Sequence, residues 1–173
     1  MNETIQTLKT RRSCKKYKSD PVPAELIDQI IEAGLCAPSA NNTQNSIILA
    51  VTDKETRDLL SRVNAKYDAK KRPDPFYNAQ TVLVVLAPKA YGNRVYDGSL
   101  VMGNLLNAAH ALGVDACWIH RAKETFEDEE GIALLKRLGI EEEYEGIGNC
   151  ILGYRDYEIN PDLPRKDGRV FRI

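Results

Sequence analysis

The chain has 173 residues, 43% of them hydrophobic, with 24 lysines and arginines against 25 aspartates and glutamates and a formal net charge of −1. That length suits one sizeable core, and the balanced charge, with an isoelectric point near 6.2, excludes the basic excess of a protein that grips long nucleic acid. No apolar run approaches the roughly 20 residues that span a bilayer, and the opening MNETIQTLKTRR has no apolar centre of a signal peptide, so a soluble, cytoplasmic protein with a single domain over 1–173 is the expectation.

In chain order, a short amphipathic helix comes first, over 5–12, with Ile5 and Leu8 on one side and Asn2 as its cap. Arg11, Arg12 and Ser13 fall at or just past its end. A stronger helix follows, with Pro23 in its first turn, Leu26, Ile27, Ile30 and Ile31 on one stripe, Gly34 near its stop and Pro38 beyond. Then come a strand over 47–52, a helix over 54–65, a polar loop and a second strand over 81–87. The stretch 95–112 predicts a long helix that is apolar on several sides, which implies burial on more than one face. A strand over 114–120, a helix from about Thr125 to the stop at Gly139, and a last strand over 147–154 complete the pattern. The tail 154–173, charged and poor in apolar residues, cannot build core of its own and must lie along another surface.

Helices interleaved with about four short strands make the fold class α+β. No G-x-G-x-x-G or G-x-x-x-x-G-K-[ST] is present, so a dinucleotide or ATP loop of those kinds is not expected. Cys14, Cys36, Cys117 and Cys150 form no C-x-x-C pair, which argues for reduced thiols and against a zinc ribbon. No metal is expected.

Three stretches bear on chemistry. In KTRRSCKKYK, residues 9–18, two adjacent arginines and a serine supply forked and single donors suited to a phosphate monoester, with Lys15 adding a mobile cation; the alternative is a solvated patch. APSANNTQN, residues 37–45, packs neutral donors and acceptors between a helix and a strand and could read the edge of a polar heterocycle. The tail carries Arg165, Lys166 and Arg169, so basic residues at both chain ends suggest one anion between them.

In this order those stretches resemble the FMN-dependent nitroreductase family. Arg11, Arg12, Ser13, Lys15 and Tyr17 match its R-R-S-x-[RK]-x-[FY]; Ala37, Pro38, Ser39, Asn42 and Gln44 match A-P-S-x-x-N-x-Q; Gly113, Cys117, Trp118 and Ile119 match G-[LIV]-x-x-C-W-I; and Gly153, Tyr154, Arg165 and Lys166 match the G-Y and later basic pair. Two positions depart from the family pattern, Asn45-Ser46 where Pro-Trp is usual and Gln80 where proline is usual.

The resemblance implies a three-layer fold, a central mixed but mostly antiparallel sheet flanked by helices, in a homodimer whose C-terminal arms are exchanged. It implies FMN in clefts at the subunit interface and reduction by NADH or NADPH. Arg11, Arg12 and Ser13 would hold the FMN phosphate and ribityl chain, with Arg165 and Lys166 closing on the phosphate. Lys15 would face the pyrimidine side of the ring, as the candidate catalytic cation. Pro38, Ser39, Ala40 and Asn42 would come from the other subunit, and the backbone at Ile119 and His120 would approach the reactive ring nitrogen. The implied activity is ping-pong transfer to a nitroaromatic, quinone or related acceptor. The alternatives are a flavin-fragmenting or dehydrogenating relative and a non-catalytic flavin-binding module.

Other residues carry duller readings beside functional ones. His120 is first a structural or solvated group, His110 packing or interface, and Trp118 core ahead of a stacking partner. Cys14, between Ser13 and Lys15, is an incidental thiol ahead of one acidified by cations. Tyr67, Phe76 and Tyr77 could lid a cleft or simply pack their loop.

Overall fold

The computed structural model describes residues 2–159 and 163–173. In chain order it builds α1 (Glu3–Thr10), α2 (Ala24–Leu35), β1 (Ile47–Val51), α3 (Lys54–Lys66), β2 (Thr81–Pro88), α4 (Arg94–Ala111), β3 (Asp115–Ile119), α5 (Ala122–Glu127), α6 (Glu129–Arg137) and β4 (Tyr144–Gly153). The sheet runs β1-β2-β4-β3 with every neighbouring pair antiparallel; the parallel contact the sequence led us to expect is an isolated bridge, Ser13 to Ala116.

Burial on both faces dictates the layers. Every residue of β2 is buried, as its near-continuous apolar run requires of a central strand. Because side chains alternate across a strand, Val82, Val84 and Leu86 join one core with Leu60 of α3, Phe126 of α5 and Leu134 and Leu135 of α6. Leu83, Val85 and Ala87 join the other with Ile27 and Ile30 of α2 and Val101, Met102, Leu105 and Ala109 of α4. The sheet is thus sandwiched between α2 and α4 on one side and α3, α5 and α6 on the other.

Gly34 stands one residue before the end of α2, near its stop as expected, and is buried there; an added Cβ would come within 2.5 Å of Leu105 Cδ2, so it sets the close approach of α2 to α4. Two expectations are corrected in detail. The helix expected from Thr125 to Gly139 is two helices. Asp128 is extended between them (φ −74°, ψ 146°), and its side chain accepts from the Glu130 N–H as the cap of α6. Gly131 then lets α6 fold back on α5, since a Cβ there would lie 2.0 Å from the Thr125 carbonyl oxygen. Within the chain α4 is buried along one face only: Val95, Tyr96 and Leu100 stay exposed.

The N-terminus covers a sheet edge. Asn2 caps α1 through bonds from the Thr4 and Ile5 N–H groups, as its position suggests. Past α1 the Cys14 N–H bonds the Ala116 carbonyl and the Lys18 N–H that of Tyr154, so residues 13–18 occupy backbone groups that an open strand edge would expose. Helix α1 buries no residue of its own and is tied to α4 by Thr10 Oγ1 and His110 Nε2, 2.8 Å apart. Burial pushes the His110 pKa down; Arg155, Arg11 and Arg12 act in the same direction and Asp115 against it. A histidine with a depressed folded pKa contributes fully above its unfolded value of about 6.5 and loses that contribution as pH falls towards the folded value. His110→Gln is therefore expected to flatten the fall in the urea midpoint from pH 7.5 to 5.5, measured beside the parent protein.

Candidate functional site

Arg11 is the C-cap of α1, where the chain turns extended (φ −53°, ψ 131°) and leaves the helix for the edge of β3. The Arg12 guanidinium folds back over the helix end, its Nη1 donating to the carbonyls of Lys9 at 2.8 Å and Arg11 at 2.9 Å, a common way of satisfying terminal carbonyls. Arg11 Nη1 is buried with no hydrogen-bond partner among the described residues. Buried donors are nearly always paired, and leaving one unmade is costly. The Arg11 residue lines a cleft of about 460 Å³ together with Arg12, Ser13, Tyr157, Glu158, Leu163 and Arg165. Three guanidinium groups against one carboxylate favour an anion there, and forked N–H donors match phosphate or carboxylate oxygens.

The structure therefore brings together four of the sequence-derived residues: Arg11, Arg12, Ser13 and Arg165. Lys166 does not line this cleft; its carbonyl accepts from Arg169 Nε. Lys15 is exposed two residues beyond Ser13. Cys14 is fully buried, and burial pushes its thiol up although a backbone hydrogen bond with Lys16 works the other way, so acidification by its cationic neighbours is overturned: desolvation of the thiolate wins.

At the far end of β3, Ile119 is buried and His120 exposed. The Ile119 carbonyl accepts from Asn149 Nδ2 at 3.3 Å and the His120 carbonyl from Asn64 Nδ2 at 2.8 Å. Arg121 then takes a left-handed conformation (φ 74°) that turns the chain into α5. These two buried asparagines, invisible to motif reading, fix the backbone that the sequence singled out. Trp118 is half-buried against the α2–α4 core. Phe76 is wholly buried and Tyr67 bonds Asp128, so the loop packs by these residues.

Pro38, Ser39, Ala40 and Asn42 stand elsewhere. The Ala40 N–H bonds the Asp97 carboxylate in the first turn of α4, whereas the Arg11 region touches α4 at His110. Those two points are roughly 20 Å apart along the helix at about 1.5 Å per residue. A small cavity of about 150 Å³ lies beside this second group, walled by Pro38, Ser39, Gln44, Asn45, Ser46 and Asp97, and the Ser46 hydroxyl is buried there without a partner. Asp97 was missed in the sequence because one carboxylate in an apolar helix has no periodic signature; its place in the first turn was the available signal. Among the described residues no group of three histidine, cysteine, aspartate or glutamate side chains is placed to hold a metal, and no helix is long and apolar enough to cross a membrane.

A model of the Nitroreductase family matches residues 8–154. A protein of Archaeoglobus fulgidus, named provisionally as an NADH dehydrogenase/NAD(P)H nitroreductase, is 30% identical over 177 aligned positions that cover 94% of this chain and 96% of that protein. A Methanothermobacter thermautotrophicus protein of the same provisional name is 33% identical over 120 residues, and the match covers 67% of this chain but only 60% of that relative. The crystal structure of a nitroreductase with bound FMN from Bacteroides fragilis superposes with a TM-score of 0.88 at 27% identity, covering the whole of both chains.

Proposed function

Because the chain belongs to the nitroreductase family, we propose that it is an FMN-dependent oxidoreductase that moves hydride from NADH or NADPH to a nitroaromatic, quinone or related small acceptor in a ping-pong cycle. The observation that carries this is the cleft that gathers Arg11, Arg12, Ser13 and Arg165, with an Arg11 Nη1 that has no partner among the described residues. Its donor set fits the phosphate of FMN.

When bound, FMN supplies the ring that accepts hydride and passes it on. The chain's own residues then bind, orient and polarise. Arg11, Arg12, Ser13 and Arg165 hold the phosphate. Lys15, exposed two residues beyond Ser13, would place its ammonium against charge that develops at the site, where a cation held in place favours the charged state over the ground state. The 38–42 loop acts from the opposite end of α4, so a single chain leaves its two halves of the site roughly 20 Å apart. A homodimer would join them across subunits. The exposed apolar residues Val95, Tyr96 and Leu100 of α4, with Ile5 and Leu8 of α1, support such an interface. In the proposed assembly the tail, whose described end leaves Val170 and Phe171 72% and 88% exposed, packs on the partner; residues 160–162 of that arm lie outside the described residues.

Anaerobic addition of NADPH or NADH to the purified yellow protein is expected to bleach it, and acceptor to restore the colour. Initial-rate plots at several fixed acceptor concentrations should be parallel, since donor and acceptor use one site in turn. Intersecting lines would refute the single site. A yellow protein that neither nicotinamide bleaches would be a flavin-binding module, and oxygen uptake with loss of flavin a flavin-fragmenting enzyme.

A further inference from the structure

Between α2 and β1 the backbone is held in an unfavourable shape. Asn41, Asn42 and Gln44 all have positive φ (54°, 54° and 51°) without being glycine; asparagine enters this region readily, so the strain falls chiefly on Gln44. Bonds inside the loop, from the Gln44 N–H to Ser39 Oγ at 3.0 Å and from Gln44 Nε2 to Asn42 Oδ1 at 2.9 Å, shape it but do not fix it to the rest of the protein.

Among the described residues, the hydrogen bonds that tie this loop to other elements converge on two side chains. The Ala40 N–H donates to both Asp97 oxygens, at 3.3 and 3.2 Å, and Tyr91 Oη donates to Asp97 Oδ2 at 2.9 Å. Tyr91 Oη in turn accepts from Thr43 Oγ1 at 3.1 Å. The loop is thus gripped at Ala40 and at Thr43 by one carboxylate–phenol pair. Asp97 is 6% exposed and makes no ion pair with any described residue. A buried carboxylate without a cation is a poor device for stability, since an apolar residue of similar size would avoid its desolvation. Its two donors, and the helix N-terminus on which it sits, are what keep it there.

We propose that Asp97 and Tyr91 are positioning residues: together they clamp the 39–44 loop in its strained conformation and thereby set the contacts that Ser39, Ala40 and Asn42 make to FMN. This rests on the FMN-site assignment given above. In this reading each acts through the loop, by the bonds to Ala40 and Thr43.

The test compares the full chain with Tyr91→Phe, Asp97→Asn and the double variant by equilibrium FMN titration and by amide hydrogen exchange without FMN. Tyr91→Phe keeps shape and removes only the hydroxyl, so it folds even where Asp97→Asn does not. Each single variant is expected to raise the dissociation constant for FMN about tenfold, and the double variant no further than the weaker-binding single, because both cut one linkage. Exchange should quicken at residues 39–44 while amides of β2 and β4 keep the parent's protection. Affinities within about twofold of the parent in Tyr91→Phe, or protection lost across the sheet, would overturn the clamp. Arg11→Ala, measured alongside, separates the causes: if it loses FMN while the clamp variants keep it, the clamp alone falls; if it too keeps FMN, the cleft assignment falls with it.

Discussion

Arg11→Ala is expected to weaken FMN binding by roughly ten- to a hundredfold, because a charge-assisted hydrogen bond to an anion in a cleft contributes about 1.5–3 kcal/mol. Lys18→Ala, in the same basic run but exposed, should leave the affinity within about twofold, as solvated single charges contribute little. Equilibrium titration of flavin fluorescence gives both constants. The contrast follows from burial: Arg11 Nη1 has no partner among the described residues, so a bond it gains with a phosphate is not exchanged for one it already had. Equal losses in the two variants would make residues 9–18 a diffuse patch and withdraw the phosphate site. Raising salt should penalise the parent less than its charge count suggests, since a contact out of solvent is poorly screened.

Asp74→Ala is expected to destabilise the fold by about 3 kcal/mol, because it takes from the buried Arg57 the closer of its two carboxylate partners and leaves several bonded groups of the turn unpaired. For a domain of this size that corresponds to a fall in melting temperature of roughly 6–12 °C. The Asp74 carboxylate takes Arg57 Nη2 and Ser61 Oγ at 2.6 Å each, together with the Phe76 and Asn78 N–H groups. Arg57, only 8% exposed, also bonds the Ala79 carbonyl and lies over the Phe76 ring. One carboxylate therefore knots the whole 74–79 turn onto α3 and seals Phe76 into the core. Burial alone would push the Asp74 carboxyl up, but the bonds from Arg57, Ser61 and Asn78 outweigh it and hold the group below its usual range. The folded pKa being lower, this contribution is full above the unfolded value of about 3.9 and is lost as pH falls through the folded one. Urea unfolding at pH 7 measures the loss directly. A change under about 1 kcal/mol would show the knot to be surface decoration of the kind exposed pairs usually are.

How far the sequence reached differs by element. Runs with a strong apolar signal needed no tertiary help: the stripe of Ile27 and Ile30, the continuous apolar run through 81–88 and the long apolar helix all stand where expected, because burial of one face creates a period and burial of two a continuous run. The basic turn at 11–13 was legible as well, since two arginines and a serine at a helix end have few structural uses, and the fold does gather them with Arg165. The break at Asp128 was not. An isolated aspartate reads equally as a helix residue or a cap, and what tips it is the approach of Gly131 to the Thr125 carbonyl, a contact between turns that no local pattern encodes.

By itself, then, the amino-acid order determined the strands, most of the helices and the family, and it marked the basic turn at 11–13, all properties carried by residue type and spacing within one segment. Only the tertiary structure decided that Arg11 Nη1 is buried with no partner among the described residues, that Asp97 grips a distant loop, that Asp74 ties its own turn to α3, and that residues 38–42 sit at the opposite end of α4 from the arginines. The reason is the same in each case. A polar group's partner is set by which segments meet in space, and the energy of leaving it buried and unpaired exists only once they have met.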